Sequence, residues 1–112
     1  MQFIFDGEVY KVIRVTGPSH NLLGISFSNS KNSLVETEIL QISDNKNETI
    51  FGKDVKEQVL LGLNEINEEL DTNYKIKKIQ FVISDTPSDI IYKELTKEII
   101  KRIENQDNFK LV

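Results

Sequence analysis

Apolar residues alternate with polar ones through the first part of this chain and recur every three to four positions from Val55 onward. Gln2 to Phe5 and Val9 to Val15 are β-branched and aromatic runs separated by Asp6-Gly7, a dipeptide suited to the positive φ of a two-residue type I′ turn, so the pair predicts a β-hairpin. After Gly17-Pro18, Leu23, Ile25 and Phe27 alternate with Gly24, Ser26 and Ser28, which predicts a third strand with one buried face. Asn29 to Ser33 forms a polar turn, and Leu34 to Ile42 alternates again, with Val35, Thr37 and Ile39 opposite Glu36 and Glu38. That predicts a fourth strand and an antiparallel meander, followed by a polar loop over Ser43 to Glu48.

The period then lengthens. Val55, Val59, Leu63, Ile66 and Leu70 fall on one helical face, widened by Leu60 and Leu61, and predict a helix from Asp54 to Asp71. Asp54 and Glu57 match a capping-box start, and Asn73 suits a left-handed stop. Lys75 to Ser84 predicts a central or near-central strand with Ile79, Phe81 and Ile83 on one face. Thr86-Pro87-Ser88-Asp89 offers an N-cap, a Pro at the first helical position and an acid at the third, which opens a second helix running to Glu104. Its stripe is Ile91, Leu95, Ile99 and Ile103, flanked by Tyr92 and Ile100, with Glu98 and Arg102 paired on the outer side. The expected architecture is a single α+β domain over residues 1–112: an antiparallel sheet of four to five strands with two helices on one face, in the order ββββαβα.

Composition narrows the chemistry. The 112 residues include no Cys and no Trp, and one His, His20, in Gly-Pro-Ser-His-Asn. Nucleophiles, neutral-pKa bases and metal-ligand clusters are therefore scarce, which favours a binding protein over an enzyme and predicts neither metal nor cofactor. No basic-then-apolar leader and no apolar run of the roughly 20 residues that a membrane span needs is present, and a cytoplasmic protein is expected.

Several residues invite a functional reading beside a structural one. His20 fits an ordinary surface histidine in an exposed turn. Asp85 lies at a strand end before a helix, where catalytic acids and anion sites occur, yet it also suits a strand stop and helix cap. Glu36 with Glu38, and Glu68 with Glu69, are carboxylate pairs without an expected pocket. Lys75, Lys77 and Lys78 beside Tyr74 fit a solubilising strand edge better than a nucleic-acid contact in so acidic a chain. No phosphate-cradling Gly-rich loop, Gly-x-Ser-x-Gly elbow or calcium loop occurs.

The net charge of −4 is concentrated: residues 51–74 hold two basic and six acidic side chains, Asp54, Glu57, Glu65, Glu68, Glu69 and Asp71. Such a helix is either a solvated face or a surface that repels phosphates and attracts basic proteins.

The stretches Val59-Leu60-Leu61-Gly62-Leu63-Asn64-Glu65-Ile66-Asn67, Lys78-Ile79-Gln80-Phe81-Val82-Ile83-Ser84-Asp85-Thr86-Pro87 and Tyr92-Lys93-Glu94-Leu95-Thr96 resemble small bacterial immunity proteins of contact-dependent growth inhibition and polymorphic-toxin systems. The resemblance spans residues 55–103 and implies a cytoplasmic protein that binds and neutralises a cognate toxin domain, often a nuclease. Because nucleases that approach phosphates tend to be basic, Glu57, Glu65, Glu68, Glu69 and Asp71 are the expected electrostatic contacts, with Tyr74 or Tyr92 as exposed aromatic anchors. The alternative is a non-catalytic domain that homodimerises or binds a small ligand between helices and sheet.

Overall fold

A computed structural model of the chain describes residues 1–29, 34–40 and 47–112. Its elements are β1 (Gln2–Phe5), β2 (Tyr10–Thr16), β3 (Ser19–Phe27), β4 (Glu36–Ile39), α1 (Gly52–Leu70), β5 (Ile76–Phe81), α2 (Ile91–Glu104) and β6 (Lys110–Leu111). The fold is α+β with the two expected helices, but the sheet is six-stranded and mixed, in the order β4-β5-β3-β2-β1-β6. Parts of the predicted fourth strand, of the Asn29–Ser33 turn and of the Ser43–Glu48 loop lie outside the described residues.

The predicted antiparallel meander holds for β1, β2 and β3 and fails at β4. β5 pairs antiparallel with β3, and β4 lies beyond it, parallel to β5. Burial explains the order. The Ile76, Ile79, Gln80 and Phe81 positions of β5 are buried, so that strand takes the interior, as predicted. All four residues of β4 are exposed, and a strand that polar is stable only at an edge. The Lys75–Lys78 cluster is therefore not an edge device; Lys78 reaches Glu38 at 3.5 Å and Lys77 reaches Glu8 at 3.9 Å.

The turns also differ from expectation. Phe5 pairs with Tyr10, leaving a four-residue loop in which Gly7 takes φ 99°. Asp6 Oδ1 accepts from the Glu8 and Val9 amides at 2.9 and 2.7 Å, an Asx-type closure that outcompetes the two-residue turn and holds its carboxyl below the usual range. The two-residue hairpin is instead Gly17-Pro18, with Thr16 opposite Ser19. β3 thus starts four residues earlier than predicted, and His20 sits in a strand rather than a turn.

Neither helix starts as its sequence suggested. α1 begins at Gly52, and Phe51 precedes it without a side-chain cap, so the Asp54–Glu57 capping box does not form. α2 begins at Ile91, where Ser88 Oγ accepts from the Ile91 amide at 3.1 Å; Thr86 and Asp85 are used elsewhere. At the end of α1 the left-handed residue is Asp71, φ 54°, not Asn73. Asn67 makes that stop rigid: its Oδ1 accepts from Thr72 Oγ1 and the Tyr74 amide, both at 2.9 Å, and its Nδ2 donates to the Tyr74 carbonyl at 3.0 Å.

One core joins both helices to one sheet face. Val12, Leu23, Ile25, Ile79 and Phe81 pack with Val55, Val59, Leu63 and Ile66 of α1 and with Tyr92, Leu95, Ile99 and Ile100 of α2. Glu65 lies 3.1 Å from Lys93, while Lys97 reaches both Glu65 and Glu69 at 3.8 and 3.9 Å. These contacts advance in the same direction along both helices, so α1 and α2 run parallel and their like ends share one end of the molecule. Arg102 does not turn toward Glu98; its Nε donates to the Asn108 carbonyl and its guanidinium lies 4.3 Å over Phe3, which fastens the turn into β6. That short strand, parallel to β1, carries too weak a pattern to be predicted from two residues.

Candidate functional site

The densest polar arrangement joins the start of β3 to the segment after β5. Asp85 is buried, and its Oδ2 accepts from the Leu22 amide at 2.7 Å while its Oδ1 meets His20 Nδ1 at 2.8 Å. Burial pushes the Asp85 carboxyl above the usual range, opposed by the Leu22 amide and His20. Thr86 continues the join: its amide donates to the His20 carbonyl and its Oγ1 accepts from the His20 amide, both at 3.0 Å. Asn21, also buried, donates to the Thr86 carbonyl at 2.8 Å and to the Tyr92 hydroxyl at 3.1 Å.

Asp85 is therefore neither a helix cap nor a free strand-end acid. Each carboxylate oxygen is spent on β3, sixty or more positions away in sequence, and it orients an imidazole whose side chain is 51% exposed. His20 and Asp85 also line a 370 Å³ cavity with Ile13, Leu22, Val82 and Ser84. Sequence spacing could not have found this pairing, because the hairpin register and the β3–β5 pairing together create it.

A second recess lies at the N-terminal ends of both helices. It measures 360 Å³ and is lined by Asp54, Glu57 and Asp89 together with Phe51, Leu61 and Pro87, with no base among the described residues that line it. Gln58 spans its floor: its Nε2 donates to the Ser88 carbonyl at 2.7 Å and its Oε1 accepts from the Tyr92 amide at 3.0 Å. Phe51 and Leu61 are 65% and 56% exposed.

The acids singled out in the sequence divide between two situations. Glu65 and Glu69 are tied to Lys93 and Lys97 of α2, which leaves little of their charge for a partner. Glu57, Glu68 and Asp71 stand exposed, but Glu57 is at the recess and Asp71 at the far end of α1. They form no single patch. Tyr92 is not an anchor, because it is 1% exposed and its burial raises its pKa. Tyr74 is half-buried, its ring tilted against Phe27 at 5.2 Å, with its hydroxyl donating to Glu104 at 2.8 Å. Asp54, Asp89, Phe51 and Leu61, which line the recess, were not among the contact residues expected from the sequence.

Burial and the Glu104 hydrogen bond push the Tyr74 hydroxyl up to about 12. An absorbance titration of phenolate should show a component near pH 12 that disappears in Tyr74→Phe and moves down toward 10 in Glu104→Gln. A Tyr74 that titrates with free tyrosine would place its hydroxyl in water, away from Glu104.

Among the described residues no three His, Cys, Asp or Glu side chains are grouped to hold a metal ion, and no helix is long and apolar enough to cross a membrane. Neither a protein-family model, nor a curated protein, nor a solved structure matches the chain.

Proposed function

We propose that this protein is a binding domain that captures a basic partner protein at the recess between the N-terminal ends of α1 and α2, and that the partner is a cognate toxin domain which it neutralises from the cytoplasm. The recess supports this reading best, because Asp54, Glu57 and Asp89 surround the exposed Phe51 and Leu61 without a neutralising lysine or arginine in its lining. Carboxylates at the rim steer a basic partner and reject acidic ones, while apolar anchors supply the durable contact. Compared with the whole α1 face, the recess concentrates the unpaired acids; Glu65 and Glu69 contribute structure instead. The dipoles of the two helices offset part of this charge, since both N-termini point here, and three acids exceed that offset.

The sheet edges offer little to a second copy. β4 presents exposed Glu36 and Glu38, and β6 is two residues long, so strand-to-strand homodimerisation is the weaker reading.

The test is co-purification of the tagged chain with the product of the gene encoded beside its own, followed by mass determination. A stoichiometric complex whose affinity falls with salt is expected. Phe51→Ala should weaken it by about thirtyfold, and Glu57→Lys with Asp89→Lys by about tenfold with a flatter salt dependence. A complex indifferent to all of these variants would remove the recess from the interface.

A further inference from the structure

We propose that a separate groove, at the C-terminal ends of the two helices, binds an organic cation, an alkylated ammonium or a guanidinium group, between the rings of Tyr10, Phe27 and Tyr74 and against the carboxylates of Glu8 and Glu104. The groove is 540 Å³ and is lined by these five residues and by Lys75, among others. Its rings stand at angles suited to a cage: Tyr10 and Phe27 are 5.7 Å apart at 60°, and Phe27 and Tyr74 are 5.2 Å apart at 57°. All three rings line the groove, although one face of Tyr10 is covered by Phe5, stacked at 4.2 Å; a ring face open to such a space offers its negative quadrupole to a poorly hydrated cation.

Three further features favour positive charge there. Because α1 and α2 run parallel, both C-terminal ends lie toward the groove, which Thr72 and Asn73 line just beyond α1 and Ile103 and Glu104 line in the last turn of α2, and their negative dipole ends favour a cation. Glu104 is held in place by the Tyr74 hydroxyl at 2.8 Å. The same aromatic cluster already carries a cation on its far side, where Tyr10 meets Phe109 at 5.0 Å, Phe109 meets Phe3 at 5.9 Å, and the Arg102 guanidinium lies 4.3 Å over Phe3. Lys75 lines the groove and Lys77 reaches Glu8 at 3.9 Å, so both ammonium groups compete with the ligand and Glu104 is the carboxylate with no lysine beside it among the described residues.

This site and the recess at the other helix ends share no lining residue, so neither reading depends on the other. The experiment is a titration followed by amide and tyrosine-ring NMR shifts, with choline chloride, argininamide and the neutral choline isostere 3,3-dimethylbutanol as probes at constant ionic strength. Saturable shifts confined to the groove with either cation, and binding of the isostere about tenfold weaker or undetectable, are expected. Glu104→Gln, a surface change that leaves the core intact, should weaken the cation by several-fold, and Tyr10→Leu should abolish the preference over the isostere. Lys75→Met should tighten it. Equal binding of cation and isostere would make the groove an ordinary apolar cleft, and absence of saturable shifts with both cations would remove the site.

Discussion

Gly62→Ala is expected to lower the stability of the protein by about 2 kcal/mol and its Tm by about 8 °C, against the usual helix preference for alanine. A Cβ built at Gly62 would lie 2.5 Å from the Lys93 carbonyl oxygen and 3.2 Å from the Lys93 carbonyl carbon. Those are backbone atoms of α2, so no rotamer change relieves the contact and the helices must separate. Separation loosens Val59, Leu63 and Ile66 against Tyr92, Leu95 and Ile99, whose exposures are all below 9%. Overpacking of this kind costs about 3 kcal/mol, and the propensity gain returns about 1 kcal/mol of it. Asn64→Ala, on the exposed side of the same helix, receives the propensity gain without the clash and should be neutral or mildly stabilising. Denaturant melts of both variants decide the matter: a Gly62→Ala protein as stable as Asn64→Ala would mean that the helices do not approach this closely.

The second large effect is at Asp85. Asp85→Ala should cost about 3 kcal/mol, because the Leu22 amide and the His20 ring lose their acceptor and the join between β3 and the segment after β5 opens. Asp85→Asn keeps an acceptor for the Leu22 amide and should cost about 1 kcal/mol at neutral pH. The two states of the carboxyl give the pH dependence its sign. Burial raises the folded pKa of Asp85 above 3.8, so the folded chain holds the proton more tightly than the unfolded chain. The resulting stabilisation is complete below pH 3.8 and is lost as pH rises through the folded pKa. The gap in stability between the wild type and Asp85→Asn should therefore move against the wild type as pH climbs from 3.8 through the folded pKa of Asp85. Asp6 and Glu38 run the other way. Their carboxyls are held below the usual range, Asp6 first by the Val9 amide and Glu38 first by Gln80, and their contribution is lost as pH falls. Comparing wild type with Asp85→Asn cancels both. A gap that stays level across this window would show that Asp85 is as hydrated folded as unfolded.

Both variants probe features that local sequence could not display. The Gly62 position was visible only as one residue in an apolar helical run, and nothing in its neighbours marks it as the crossing point with Lys93. Asp85 was visible as an acid before a helix, and local rules assigned it to cap that helix. In the fold its oxygens go to Leu22 and His20, because β5 ends beside the start of β3 and the strand ladder brings the amide of Leu22 into reach. Ser88, which accepts from the Ile90 and Ile91 amides, and Gln58, which accepts from the Tyr92 amide, are left to satisfy the helix start. The acidic helix shows the same division. Six carboxylates within residues 51–74 could be counted directly, but which of them remain available depended on Lys93 and Lys97 lying alongside from α2. The recess beside Phe51 and Leu61 needed the second helix as well, since a recess requires two walls.

By itself the sequence determined the local periods and their consequences: the four strands of the first half, the two helices and their buried stripes, the burial of Ile79 and Phe81, and the concentration of acid in α1. These follow from interactions between residues a few positions apart, which the spacing of side chains encodes. Only the tertiary structure decided the rank of the strands, the parallel course of the helices, the His20–Asp85 pairing and the two grooves at opposite helix ends. Each of these depends on which apolar strand displaces which polar one from the middle of the sheet. β5 outcompeted β4 for that place because burying Ile76, Ile79 and Phe81 removes apolar surface from water, whereas enclosing Glu36 and Glu38 would strand two carboxylates.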